Sequence, residues 1–368
     1  MTAPRRQATS PPSPSSLEQY LLLLLSDSNL PTGGFVASSG LESWIQHGNL
    51  ALAAPEPAPA TSSASPAPSP HLPTAALKTR PQPEAALLAF VTHSLHSYAR
   101  LNVPLLRSAH AAVSSLHSSS SSPPPAGAPP PADHARPSPT DIDTALEHVL
   151  AADALCECMT LNHVARRAST AQGVALLTLY ERALAPELPP PGAVDGGKGA
   201  AAAGEVVARY RAAIRAGQGG GKAVEGGNGH MSVAFAVMTA AVGLGLDASI
   251  DLFLFLHARS LLSSAVRLNN VGPYVAHRLL LWDVKALVDG AVAATCAPPP
   301  PPPPPPAPAR PSPPATATAD WWDDDPAWKI AWGADDGTGV QGGPVTSWPL
   351  GEIIASRHDQ LFTRVFNS

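Results

Sequence analysis

The stretch "GHMSVAFAVMTAAVGLGLDASIDLFLFLHARSLLSSAVRLNNVGP", Gly229 to Pro273, decides the fold. From His230 to Gly245 nearly every position is apolar, with neither the alternation of a strand nor a polar helix face. A helix that is apolar all round is either a membrane span or the centre of a bundle. The most apolar window, Val233 to Leu246, is followed by Asp247, Asp251 and Arg259, and a span takes roughly 20 residues. The window is too short, so it is read as a buried helix. Asp247 is expected to cap the next helix, which carries Ile250, Leu254, His257, Leu261, Leu262 and Val266. Gly272-Pro273 then opens another, through Leu279, Leu280, Val284 and Leu287.

Outward from this centre the same spacing recurs. Leu17 to Leu25 is a short apolar helix. Pro83 starts one through Tyr98, with Leu87, Leu88, Val91 and Leu95 on one face, and Leu101 to Leu116 continues after a brief break. Thr140-Asp141-Ile142-Asp143 resembles a capping box for a helix through Leu155. Further helices are expected over Leu161–Leu184, Glu205–Ala216 and Gly351–Phe366. No alternating strand pattern of useful length appears. The expectation is an all-α fold: a single bundle of about ten helices within 17–296, and a C-terminal partner-binding helix within 346–368.

Between the helices lie blocks rich in Pro, Ala, Ser and Gly: 1–16, 51–81, 114–139, 186–203, 216–229 and 297–345, the last with nine prolines from Pro298 to Pro306. They lack the apolar surface that offsets ordering entropy, so they are expected to be a disordered tail, disordered insertions and a Pro-rich linker. What remains is roughly 210 residues, enough for one domain with a real core. The net charge of −5 without a basic stripe argues against nucleic acid. Three cysteines in no paired framework suit a reducing compartment. Arg5, Arg6 and the early serines resemble a transit peptide in composition, but prolines break any amphipathic helix there, and a cytoplasmic location is expected.

The chemistry-bearing motifs are weak. The loop "GQGGGKAVEGGNGH", Gly217 to His230, lacks the Ser or Thr after Lys222 and the preceding strand of a phosphate loop. Cys156 and Cys158, two apart on a helix, point about 200° away from each other and cannot share a metal with His163, so they are read as buried cysteines. His93 and His96 share a face without a third ligand and are read as surface histidines. No Gly-x-Ser-x-Gly or His-Glu-x-x-His occurs. One enzymatic alternative stands: a helical enzyme with a buried acid–base site around His230, Asp247 and His257.

"SDSNLPTGGFVASSGLESWIQHG", Ser26 to Gly48, is the other particular stretch. Leu30-Pro31 is extended before a turn in which Gly33 and Gly34 allow positive φ. Ser39 to Glu42 fits a capping box, with Glu42 returning to the Ser39 amide and Leu41, Trp44 and Ile45 facing inward. Phe35 is left looking exposed. At the other end, Leu350, Ile353, Ile354, Leu361 and Val365 form an apolar stripe beside Arg357, His358 and Arg364. A helix on so long a tether suits docking into a partner groove; the alternative is that it packs back on its own bundle.

Four segments carry a family resemblance. "LPTGGFVASSGLE" (Leu30–Glu42), "ARRASTAQGVALL" (Ala165–Leu177), the central stretch with His230 and Arg267-Leu268, and "EIIASRHDQLFTRVFNS" (Glu352–Ser368) resemble, in order, UreF-type urease accessory proteins. Ala37 departs from the His or Tyr of many members. The resemblance implies an all-helical, dimeric, non-enzymatic assembly factor. Such a factor binds a UreD/UreH-type partner, recruits the UreG GTPase to urease apoprotein and promotes nickel insertion without a stable nickel centre of its own. It also implies partner contacts at Pro31, Gly33, Gly34, Phe35, Glu42, Arg357, His358, Leu361, Arg364 and Phe366. His230 is a candidate station on the nickel route.

Overall fold

The computed structural model describes residues 16–27, 30–48, 82–118, 137–185, 197–218, 226–296 and 343–367. The expected tail 1–16 (but for Ser16), the insertion 51–81 and all but the end of the linker 297–345 lie outside the described residues. Within them the chain is helical, and no strand occurs among the described residues.

The elements are α1 (Ser16–Leu25), a 3-10 turn (Gly34–Val36), α2 (Leu41–Gln46), α3 (Gln82–Ser118), α4 (Pro139–Met159), α5 (His163–Leu179), α6 (Gly197–Gln218), α7 (Met231–Ala241) and α8 (Leu246–Arg267). Then α9 (Pro273–Leu279) runs through a π turn into α10 (Lys285–Cys296), and α11 (Pro349–Ser356) is followed by a 3-10 turn, Arg357–Gln360. The apolar reading of the centre holds: every residue of α7 from Ser232 to Ala241 is buried, and α3, α4, α5, α6 and α8 all pack on it. The start of α7 needs partners for its N–H groups inside the protein. Ser169 Oγ accepts from the Met231 amide at 3.0 Å, and the buried carboxylate of Asp153 of α4 fixes the approach to the helix by accepting from the amides of Asn228, Gly229 and the cap residue His230. By length and composition α8 could cross a membrane, but 61% of its apolar window is buried in the bundle.

Several sequence-based boundaries are corrected. Gly245, not a side chain of Asp247, caps α8, and Asp247 is exposed. Ser138 caps α4 in place of Thr140: its hydroxyl accepts from the Asp141 amide at 3.2 Å, Asp141 accepts from the Ser138 amide at 2.8 Å, and Pro139 takes the first helical position. The block 186–203 contains structure, because α6 begins at Gly197 and continues through the alanines from Ala200, of which Ala203 is fully buried. Cys158 is exposed; Cys156 is buried, where desolvation pushes its thiol up to about 12. His93 and His96 are exposed as expected, and the His93 ring stacks on Trp348.

The expected break near residue 100 is also absent. α3 is one helix of 37 residues with Pro104 inside it, about 55 Å of spine that touches α4, α6, α7, α8 and α10. Proline has no N–H to give the carbonyl four residues back. That carbonyl, of Arg100, instead accepts from the Val345 amide at 3.2 Å, and Ser97 Oγ accepts from the Ser347 amide at 3.2 Å. The missing helix bond is thus where the C-terminal segment joins the bundle. Replacing Pro104 with Ala is expected to restore the competing intrahelical bond. Hydrogen exchange should then quicken at Val345 and Ser347 while the α3 amides are protected at least as well as before; unchanged exchange at Val345 would remove this role from Pro104.

Candidate functional site

The two ends of the described chain meet on one face of the bundle. Residues 30–36 form a turn with Gly33 at φ 74°, and the following corner places Ser39 and Gly40 at φ 50° and 84°. A side chain at Gly40 would be strained by that φ, and its Cβ would meet the Ala355 Cβ of α11 at 2.8 Å. α2 can therefore lie directly against α11.

Glu42 is not the capping-box residue that its spacing predicts. Gly40 occupies the cap with no side-chain bond, and Glu42 is fully buried. Its carboxylate accepts from the amides of Val365 at 2.6 Å and Phe366 at 3.1 Å, and from His358 Nε2 at 3.0 Å. Around it Ser43 donates to the Ile354 carbonyl at 2.6 Å, Gln46 to the Thr363 carbonyl at 2.8 Å, and the Asn367 amide to the Val36 carbonyl at 2.9 Å. Trp348 completes the seam, its ring 5.5 Å from Trp44 and 5.2 Å from Phe90.

These bonds correct the expectation of a free tethered helix. α11 ends at Ser356, a 3-10 turn follows, and 361–367 is non-helical, so the stripe through Leu361 and Val365 does not form. Ile354 faces inward, but Leu350, Ile353 and Val365 are exposed. The segment packs back on its own bundle, the alternative reading. The reason is polar: a buried carboxylate demands donors, and the tail supplies two amides and an imidazole.

Of the residues named from the resemblance, Glu42, His358 and Phe366 are buried and engaged within the chain. Pro31, Gly33, Phe35, Arg357 and Arg364 are exposed, and Gly34 and Leu361 are half-buried. Phe35 keeps 63% of its surface exposed. Beneath it, Arg267 of α8 stacks 3.8 Å from the Phe35 ring and 4.4 Å from that of Phe366, and donates to the Phe35 carbonyl. Asp359 gathers two guanidiniums and an imidazole: Arg167 through a fork at 3.0 and 2.9 Å, Arg364 at 3.3 Å and His163 at 3.3 Å.

Under this double-ended roof lies a cavity of about 610 Å³, floored by α3, α5, α7 and α8. His230 is fully buried at the start of α7, with Nε2 2.8 Å from Glu157 and Nδ1 3.2 Å from Ser169. The enzymatic alternative finds no constellation. Asp247 sits on the surface past the far end of α7 from His230. His257 is buried with Nε2 3.1 Å from Ser94, its pKa brought down to about 3 by desolvation, so the ring is neutral. Sequence reasoning missed Arg167, Asp153 and Asp359 as organising residues. Each acts on a segment remote in sequence and leaves no local spacing to find.

Two outcomes follow for the seam. Glu42→Ala leaves His358 and two amides buried without their acceptor, a loss of about 3 kcal/mol or more. It is checked by denaturant unfolding; a loss under about 1 kcal/mol would mean the carboxylate is not what holds the tail. For Asp359, the Arg167 fork brings the carboxyl from 3.8 down to about 2. The ionised form belongs to the docked tail, so its contribution is complete above the unfolded value and is lost as pH falls through about 2. Tail amides should lose exchange protection across that window in the wild type, and lose less in Asp359→Asn, which starts lower and does not titrate.

Two comparisons with known proteins bear on identity. The UreF family model matches residues 82–282, which span α3 to the π turn after α9. The chain is 33% identical over 366 residues to urease accessory protein 6 of Cryptococcus neoformans var. grubii, covering 96% of this chain and 98% of that relative. The resemblance read from residues 30–42, 165–177, 229–273 and 352–368 is thereby established, and the chain belongs to the UreF family of urease accessory proteins.

Proposed function

We propose that this protein is a non-enzymatic scaffold of urease maturation. In this reading it binds a UreD/UreH-type partner, recruits the UreG GTPase, and promotes nickel insertion into urease apoprotein, acting as a cytoplasmic homodimer with nickel as cargo. The observation that carries it is the surface built by the two chain ends. Phe35, Val36, Phe362 and Val365 are held exposed on segments that are otherwise tightly bonded, with Phe362 wholly in solvent. Exposed aromatics on well-bonded segments are the kind of residue that dominates protein interfaces. Glu42, His358 and Phe366 then serve the partner indirectly, by fixing that surface. Arg364 lies beside Val365 and Phe366, and in this reading Leu361 and Arg357 of the same segment add to the contact. His230 meets nickel in this reading only by giving up its bond to Glu157 or to Ser169.

The test separates contact from stability. Phe35→Ala and Phe362→Ala are expected to weaken co-purification with the UreD/UreH-type partner by about 2 kcal/mol each, and to lower urease activation. Because both rings are exposed, melting should move by only a few degrees. Full affinity in the double variant, with the fold intact, would remove this surface from the partner interface. Light scattering of the purified chain checks the dimer.

A further inference from the structure

One stripe of α8 faces the cavity and carries Arg259, Ser260, Ser263 and Arg267. Residues four apart share a helix face, so Arg259, Ser263 and Arg267 stand in a row about 12 Å long. The arginines close by are matched to carboxylates, Arg166 to Glu157 and both Arg167 and Arg364 to Asp359. These two are not. Among the described residues neither Arg259 nor Arg267 has an ion pair; each donates to a backbone carbonyl, of Ser26 and Phe35 respectively. One acid, Glu352, reaches the same cavity without an ion pair to either.

Arg267 is the more exposed case electrostatically. Its guanidinium lies between two aromatic rings, and its buried Nε has no hydrogen-bond partner. Burial draws its pKa below the ordinary arginine value. A cation partly withdrawn from water and given only π faces and one carbonyl in exchange is incompletely compensated. The group that completes it is an anion with two oxygens, for which the guanidinium fork is shaped.

We propose that this face of the cavity receives an acidic side chain of a protein partner, its carboxylate held by the Arg267 fork beside the exposed Phe35 ring, with Arg259 two turns away adding positive charge along the same row. This rests on the scaffold reading above and adds the chemistry by which the partner is recognised. A protein is favoured over a free anion because the row of arginines continues into the exposed apolar surface of Phe35 and Val36. A small anion has no use for that surface, whereas a loop carrying Asp or Glu among apolar residues covers both.

The probe is the purified UreD/UreH-type partner, titrated calorimetrically against the full-length chain at about 50 and about 300 mM salt. Arg259→Gln and Arg267→Gln are each expected to weaken binding about tenfold or more and to flatten its salt dependence. Since Arg267 also braces Phe35, a second variant avoids that role. Ser263→Asp places a carboxylate of the chain's own between the arginines. It should raise the melting temperature and weaken partner binding by a similar factor. Wild-type affinity and salt dependence in both Arg259→Gln and Ser263→Asp would overturn the proposal. Stabilisation of the wild type, but not of Arg267→Gln, by millimolar sodium succinate in place of any effect on partner binding would also overturn it, by assigning the site to a small anion. If the unaltered chain does not bind the partner at all, it is the scaffold reading that fails first.

Discussion

A carboxylate without water must be met by donors, and Glu42 is such a carboxylate. Its two oxygens are satisfied by groups more than 300 positions away, the Val365 and Phe366 amides and His358. Everything on that face follows from this demand. The tail must approach α2 closely enough to offer its backbone, which requires Gly40 against Ala355, and the approach carries Trp348 into the cluster with Trp44 and Phe90. It also sets Phe366 under Arg267, and Arg267 in turn holds the Phe35 loop. One buried charge thus orients both chain ends.

The bundle interior uses the same device a second time. α7 is apolar on every side, which makes it a good core and a poor place for its own unpaired amides. Ser169 accepts from the Met231 amide, and Asp153 reaches across from α4 to accept from the cap residue His230 and the two residues before it. In both places a helix-borne carboxylate binds backbone N–H groups of another segment. Side-chain identity on the receiving segment matters less than its backbone path, so these acids specify where a segment lies rather than which residues it carries.

Pro104 shows how a local liability becomes a joint. Inside a helix, proline leaves a carbonyl without a partner, which in isolation costs about 3 kcal/mol. Here the freed Arg100 carbonyl takes the Val345 amide, and the following residues lead directly to Trp348. Together with Glu42 and the Arg167–Asp359 fork, this gives the C-terminal segment three separate attachments along its length. A segment held at three points presents its exposed side chains in one arrangement, which lowers the ordering cost of any surface built on it.

The sequence alone determined the helical class and the placement of the core. Apolar period and length carry that information locally, and the continuous apolar run before Gly245 could be only a buried helix or a span. It also determined the family, through segments whose order survives large low-complexity blocks. The candidate surface was half legible: Phe35 stood out because no local pattern accounted for it. What local pattern did account for was misread. Ser39 to Glu42 satisfies a capping box, Leu350 to Val365 satisfies an amphipathic stripe, and the stretch between Tyr98 and Leu101 reads as a helix break, yet the tertiary structure uses none of them so. A spacing rule weighs only neighbours in sequence. The carboxylate of Glu42, the carbonyl of Arg100 and the guanidinium of Arg267 are decided by whichever distant donor, acceptor or ring packing brings within about 3 to 4 Å, and only the assembled bundle sets those distances.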